Sequence, residues 1–117
     1  MNEIIVKDDI KIENMIYEIR GKQVMLDRDL AKLYQVETKR INEAVKNNIE
    51  KFPERFCFRI TENEFNILKS KFSTSKGRGG SRKGHSVFTE QGIAMLATIL
   101  KSKVATRVSI AIMDAFI

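Results

Sequence analysis

Asp27-Arg28-Asp29-Leu30-Ala31-Lys32-Leu33-Tyr34-Gln35-Val36-Glu37-Thr38-Lys39-Arg40-Ile41-Asn42-Glu43-Ala44-Val45-Lys46-Asn47-Asn48 is the stretch on which the fold turns. Asp27 is a good N-cap for a short helix from Arg28 to Tyr34, whose Leu30 and Leu33 face inward. After a short break, Thr38 caps or opens a second helix. That helix runs to about Glu50, where Phe52-Pro53 stops it, because the residue before proline avoids the helical region. Two short helices joined by a tight break predict a helix-turn-helix-like pair.

Upstream, residues 12 to 26 read as a β-hairpin. Ile12 to Ile19 and Gln23 to Leu26 carry strand-type residues, and Arg20-Gly21-Lys22 supplies a tight turn in which glycine takes positive φ. Downstream, Phe56 to Ile60 reads as a strand. Thr61-Glu62-Asn63-Glu64 has the spacing of a capping box, which opens a third helix to about Lys71. Ser86-Val87-Phe88 is short and strand-like. Thr89 caps a helix over Gln91 to Leu100, and Ser102 opens another that runs to the end of the chain. Both are apolar around much of their circumference, so burial is expected, and for the last helix a subunit interface. The chain stops on Phe116-Ile117 without a C-cap or polar tail, which suggests a longer natural protein cut mid-helix. The expected class is α+β: a hairpin, a helix-turn-helix-like pair, short strands with a basic glycine-rich loop or wing, and C-terminal helices. The expected organisation is an N-terminal segment 1–11, a core 12–88, and helices 89–117 that complete the core and dimerise.

Charge is unevenly placed. Between Glu64 and Glu90 there is no acidic residue and there are six basic ones: Lys69, Lys71, Lys76, Arg78, Arg82 and Lys83. The remaining 15 Lys and Arg balance the chain's 15 Asp and Glu, so this segment accounts for the whole formal charge of +6. A basic loop on an otherwise neutral domain is a localised anion-binding device, and nucleic acid is the abundant large anion of a cell. Its glycines do not make a nucleotide site. In Gly79-x-x-x-x-Gly84 the lysine position of a P-loop is His85, and after Gly77-x-Gly79 the third glycine of a dinucleotide fingerprint is Arg82. A solvated linker is the plain alternative. The return of order at Val87-Phe88 favours a loop held at both ends, whose cations lie along phosphates or enter a minor groove. Neutralising about four to six phosphates gives a salt dependence of roughly 0.9 per contact.

The second helix carries the complementary signal. With Ile41 at zero and steps of about 100°, Ala44, Val45, Asn48 and Ile49 form the buried stripe. Lys39, Glu43 and Lys46 lie opposite, Arg40 and Asn47 flank them, and Asn42 borders the other side. Arg or Lys suits guanine, Asn suits adenine and Glu suits the cytosine amine, so Thr38, Lys39, Arg40, Asn42, Glu43, Lys46 and Asn47 are candidate base readers. A solvated face of mixed charge is the alternative; the preceding helix, the tight break and the basic loop favour recognition.

Other functions find little support. With one Cys and one His there is no internal disulfide and no metal cluster to expect. Cys57, in Phe56-Cys57-Phe58, reads as a core thiol, and His85 as a spectator. Asp27 and Asp29, or Glu62 and Glu64, do not form a catalytic pair. No enzyme activity, cofactor or metal is expected. No stretch approaches the length of a membrane span, and the N-terminus lacks the apolar run of a signal peptide, so a reducing cytoplasm fits.

Several ordered blocks together resemble a known family. Ile19 to Tyr34, Val36 to Phe56, Gly77-Arg78-Gly79-Gly80 and, most strongly, Val87-Phe88-Thr89-Glu90-Gln91-Gly92-Ile93-Ala94-Met95-Leu96 are similar to the phage "ORF-six N-terminal" domain of the KilA-N superfamily. The resemblance covers about residues 12 to 117 and implies a DNA-binding domain of phages, prophages and their bacterial hosts. It further implies an α+β core related to the fungal APSES DNA-binding fold, and attachment to C-terminal effector domains in antirepressor-like regulators. Two departures stand out: Gln35 replaces the usual inter-helix glycine, and Gly84-His85-Ser86 replaces a more rigid lead-in to the next strand. The expectation is a regulator of transcription in the bacterial cytoplasm that binds double-stranded DNA, helix 38–48 reading the major groove and loop 69–85 clamping the backbone. The main alternative is a protein-interaction module that captures a repressor through its apolar C-terminal helices. RNA or single-stranded DNA fits less well, because the basic segment offers only Phe72 for stacking.

Overall fold

The computed structural model describes residues 11–70 and 85–116. After a single 3₁₀ turn at Ile12–Met15, strands β1 (Tyr17–Ile19) and β2 (Lys22–Leu26) form a hairpin. The expected strand from Ile12 is therefore shortened. Its turn is also tighter than expected: Ile19 pairs with Lys22, leaving only Arg20 and Gly21 at the tip. Both have positive φ, 55° and 78°, as a type I′ hairpin turn requires. Helices α1 (Asp27–Tyr34) and α2 (Thr38–Lys46) follow, then a 3₁₀ turn at Ile49–Lys51, β3 (Cys57–Ile60), α3 (Glu62–Ser70), β4 (His85–Phe88), α4 (Glu90–Leu100) and α5 (Lys103–Ala115). The class is α+β, as the sequence implies. The last helix ends at Ala115, with Phe116 extended.

The four strands form one antiparallel sheet in the order β1-β2-β4-β3. Strand alternation sends successive side chains to opposite faces. Met25, Cys57 and Phe88 point to one face, where α1, α2, α4 and α5 bury Leu30, Ile41, Ile93, Leu96, Val108 and Ile112. Val24, Leu26, Phe58, Ile60 and Val87 point to the other, where α3 supplies Leu68 and Phe65. The C-terminal helices are thus half of the larger core: α5 packs on α1, α4 and the first 3₁₀ turn, and Tyr34 of α1 hydrogen-bonds Ser109 of α5 at 2.6 Å inside it.

Three of the expected caps are present. Thr61 and Glu64 satisfy each other's backbone amides reciprocally, at 2.8 and 3.1 Å. Thr89 accepts from the Gly92 amide and Ser102 from the Ala105 amide, each removing an orphan donor of a helix N-terminus. Asp27 departs from expectation. The helix begins at Asp27 itself, and Leu26 holds the cap position without a side-chain bond. The Asp27 carboxylate is buried and is used elsewhere. Ile49 also departs. Helix α2 ends at Lys46 rather than near Glu50, and the 3₁₀ turn that follows swings Ile49 out of the buried stripe to 63% exposure.

Thr89 and Gly92 fix the start of α4 on the segment before β3. The Thr89 amide donates to the Phe56 carbonyl, and its hydroxyl donates to the Arg55 carbonyl at 2.9 Å. A Cβ on Gly92 would overlap the Phe56 carbonyl oxygen. Only glycine lets α4 approach that backbone.

Candidate nucleic-acid interface

The turn between α1 and α2 closes as a Schellman motif. The Val36 amide donates to the Ala31 carbonyl at 3.0 Å, and the Gln35 amide to that of Lys32 at 3.2 Å. Both bonds require a left-handed residue between helix and exit. Gln35 takes that conformation, with φ 63° and ψ 43°, although it lacks glycine's freedom there. A second link ties the helices from the side. Asn42 of α2 donates its amide to the buried Asp27 carboxylate at 2.8 Å and to the Thr38 carbonyl at 3.3 Å. Asn42 is half-buried and its amide is occupied, so it positions α2 instead of standing among the open side chains. Thr38 is half-buried as well.

The remaining candidates on this helix stand outward. Lys39, Arg40, Glu43, Lys46 and Asn47 are all exposed, while Ile41 and Ala44 are buried beneath them. Among the described residues no ion pair engages Lys39, Arg40 or Lys46. The face combines three cations with a carboxylate and a carboxamide, held on a helix whose rotation is set by two buried residues and the Asn42–Asp27 bond. Such a surface can donate to guanine or phosphate and accept from a cytosine amine.

Of the basic-segment candidates, Lys69 falls on the last turn of α3. Lys71, Lys76, Arg78, Arg82 and Lys83 lie outside the described residues. The point where the chain re-enters the sheet is well defined. His85 pairs with Ile60 and stacks on Phe65 of α3, with ring centroids 3.6 Å apart and planes 14° from parallel. Arg28, at the start of α1, lies over the other partner of that stack, 5.6 Å from the Phe65 ring centre. A run of contacts therefore connects α2 to the foot of the basic segment: Asn42 to Asp27, its neighbour Arg28 to Phe65, and Phe65 to His85. Burial lowers the imidazole's pKa, opposed by the Asp27 and Glu62 carboxylates. The sequence marks none of these side chains as a unit, because they come from four separate elements, α1, α2, α3 and β4.

Burial, followed by the Asp27 charge, pushes the Cys57 thiol up to about 12, which leaves it protonated and inert at neutral pH. Among the described residues no group of three or more His, Cys, Asp and Glu side chains could hold a metal, and no helix is long and apolar enough to cross a membrane.

Residues 14–99 match the ORF6N domain. The chain belongs to the ORF6N domain family. The matched span begins in the first 3₁₀ turn and ends in α4, so the ORF6N signature takes in the sheet, the helix pair and the Thr89–Gly92 dock, while α5 lies beyond it. No curated protein and no solved structure matches the chain.

Proposed function

We propose that this ORF6N domain is a non-enzymatic, sequence-preferring binder of duplex DNA that acts in phage-type transcriptional regulation. The observation that carries the reading is the outward face of α2. Five polar side chains stand in the open on a helix fixed by a Schellman turn and a buried Asn–Asp bond. Lys39, Arg40, Glu43, Lys46 and Asn47 read base edges in the major groove. Thr38 and Asn42, at the edge of the face, orient the helix. The basic segment, whose foot joins α1 and α3, supplies affinity through phosphates. The rival reading, capture of a partner protein by the C-terminal helices, has less surface than the sequence suggests, since Ile93, Leu96, Ala105, Val108 and Ile112 are spent on the domain's own core.

Selection of bound duplexes from a random pool tests the proposal. The parent protein enriches a defined sequence, and Lys39→Ala with Lys46→Ala changes that sequence while the fold, followed by circular dichroism, is retained. Enrichment of the same sequence by parent and variant would remove α2 as the reader. A parent that captures no duplex at all would remove DNA binding.

A further inference from the structure

A second cationic surface lies away from α2. From Gln91 to Met113 the chain has no acidic residue, and its three basic ones are Lys101, Lys103 and Arg107. The fold gathers them at the corner between α4 and α5. Lys101 ends α4 in the left-handed conformation, φ 47°, with its amide on the Ala97 carbonyl, and the chain turns there into α5. Lys101, Ser102, Lys103, Thr106, Arg107 and Ile110 then line one open cleft of about 650 Å³. The three cations are exposed, and among the described residues none is ion-paired. Ser102 uses its oxygen to accept from Ala105, so its hydroxyl proton is left to donate. Three like charges around one cleft repel each other, and an anion placed among them relieves that repulsion.

We propose that this corner is a second phosphate-backbone contact for duplex DNA. The inference rests on the domain being a DNA binder, but not on α2 being the reader. Duplex DNA is favoured over a small anion because the cleft is open and because a basic segment of the same sign occupies the chain from Lys69 to Lys83. The domain extends 35 Å along each of its longer axes, and a duplex presents one charge per ~1.7 Å of its axis, so one duplex offers phosphates across the whole width. A membrane is disfavoured, since hydroxyls and cations line the cleft with Ile110 as its only large apolar side chain.

The test uses the full chain and a Lys101→Gln, Lys103→Gln, Arg107→Gln variant, titrated against random-sequence duplex from about 0.05 to 0.2 M salt. All three positions are exposed, and thermal melting checks that the variant is folded; Lys103→Glu alone serves as a second, milder variant. The triple variant should bind roughly tenfold or more weakly, with a salt slope shallower by about 2 to 3, and Lys103→Glu should move the same way by a smaller step. An unchanged slope and affinity in the folded variants would overturn the proposal. So would a parent that binds anionic vesicles through these residues more tightly than duplex, or one that binds no duplex. If the triple variant loses slope while Lys39→Ala with Lys46→Ala leaves sequence preference intact, the corner stands and the α2 reading falls.

Discussion

The two faces of the sheet are built to different strengths. On one, four helices close over Met25 and Phe88, a buried tyrosine–serine bond joins α1 to α5, and a glycine lets α4 sit directly on backbone. On the other, α3 is the one helix among the described residues that covers a smaller cluster. Leu68 is its buried anchor, while Ile67 is 60% exposed. At its start α3 is held by a bidentate surface pair, Arg20 to Glu64 at 2.9 and 3.0 Å, and by Arg20 lying 4.9 Å from the Phe58 ring centre. The helix pair belongs to the strong face, and the helix that leads into the basic segment belongs to the weak one. Selectivity needs a fixed helix, because base edges are read at hydrogen-bond distance. Phosphate contacts tolerate a looser mount, because charge acts over the Debye length of about 8–10 Å.

The largest expected effect tests the strong face at its tightest point. Gly92→Ala forces a methyl into the Phe56 carbonyl and should cost about 3 kcal/mol or more; an unchanged midpoint in urea would mean that α4 shifts freely. Next, truncation should separate the faces. Ile93→Ala is expected to cost about 3 kcal/mol and Leu68→Ala about 2 kcal/mol. Equal losses in the same urea titration would erase the contrast. A smaller effect is a gain. Gln35→Gly removes left-handed strain of about 1–2 kcal/mol and adds glycine's chain entropy of about 0.5–1 kcal/mol, for a net stabilisation on the order of 0.5 kcal/mol. A lower melting temperature would show that the Gln35 side chain has a role of its own.

The smallest effect is electrostatic and confined to the weak face. The Arg20 guanidinium, followed by the Thr61 amide, lowers the Glu64 carboxyl from its ordinary 4.5 to about 2. A depressed folded-state value means that the contribution is complete above the ordinary value and is lost as pH falls toward about 2. Exposure to solvent screens it. Glu64→Gln keeps an acceptor for the capping box but removes the charge. The difference in melting temperature between parent and variant should therefore shrink on acidification over that window, and faster at low salt. A difference that is constant with pH would assign the pair no charge-dependent role.

Much of this architecture was legible because it depends on neighbours in sequence. The Thr61–Glu64 box, the Thr89 and Ser102 caps and the glycine of the hairpin turn are local devices, and each sits where its spacing places it. The misreadings share the opposite cause. Asp27 before a helix is chemically as good a cap as any carboxylate; only Asn42, fifteen residues later, reveals that it faces inward. That same bond explains why Asn42, at the border of the helical wheel, turns away from solvent. Ile49 was misplaced because a 3.6-residue period was carried past the point where α2 gives way to a 3₁₀ turn. Gly92 gave no warning, since its constraint comes from the Phe56 carbonyl, far away along the chain. The cationic corner was equally hidden: three cations spread over seven residues read as ordinary surface until a left-handed Lys101 folds α4 back into α5.

The position of β4 has a consequence for how the protein is made. β4 lies between β2 and β3, yet among the described strands it comes last in sequence. While the ribosome extends the chain from Ile60 to Phe88, roughly 1–6 s at ordinary elongation rates, β2 and β3 have no strand between them and each exposes an unpaired edge. The helix pair is complete in sequence by then, but the sheet against which it packs is not. A nascent chain halted before His85 should accordingly be cut readily by protease, and one released after α5, which completes the larger core, should resist it. Closure of the sheet waits on a four-residue strand that arrives directly behind the most basic part of the chain.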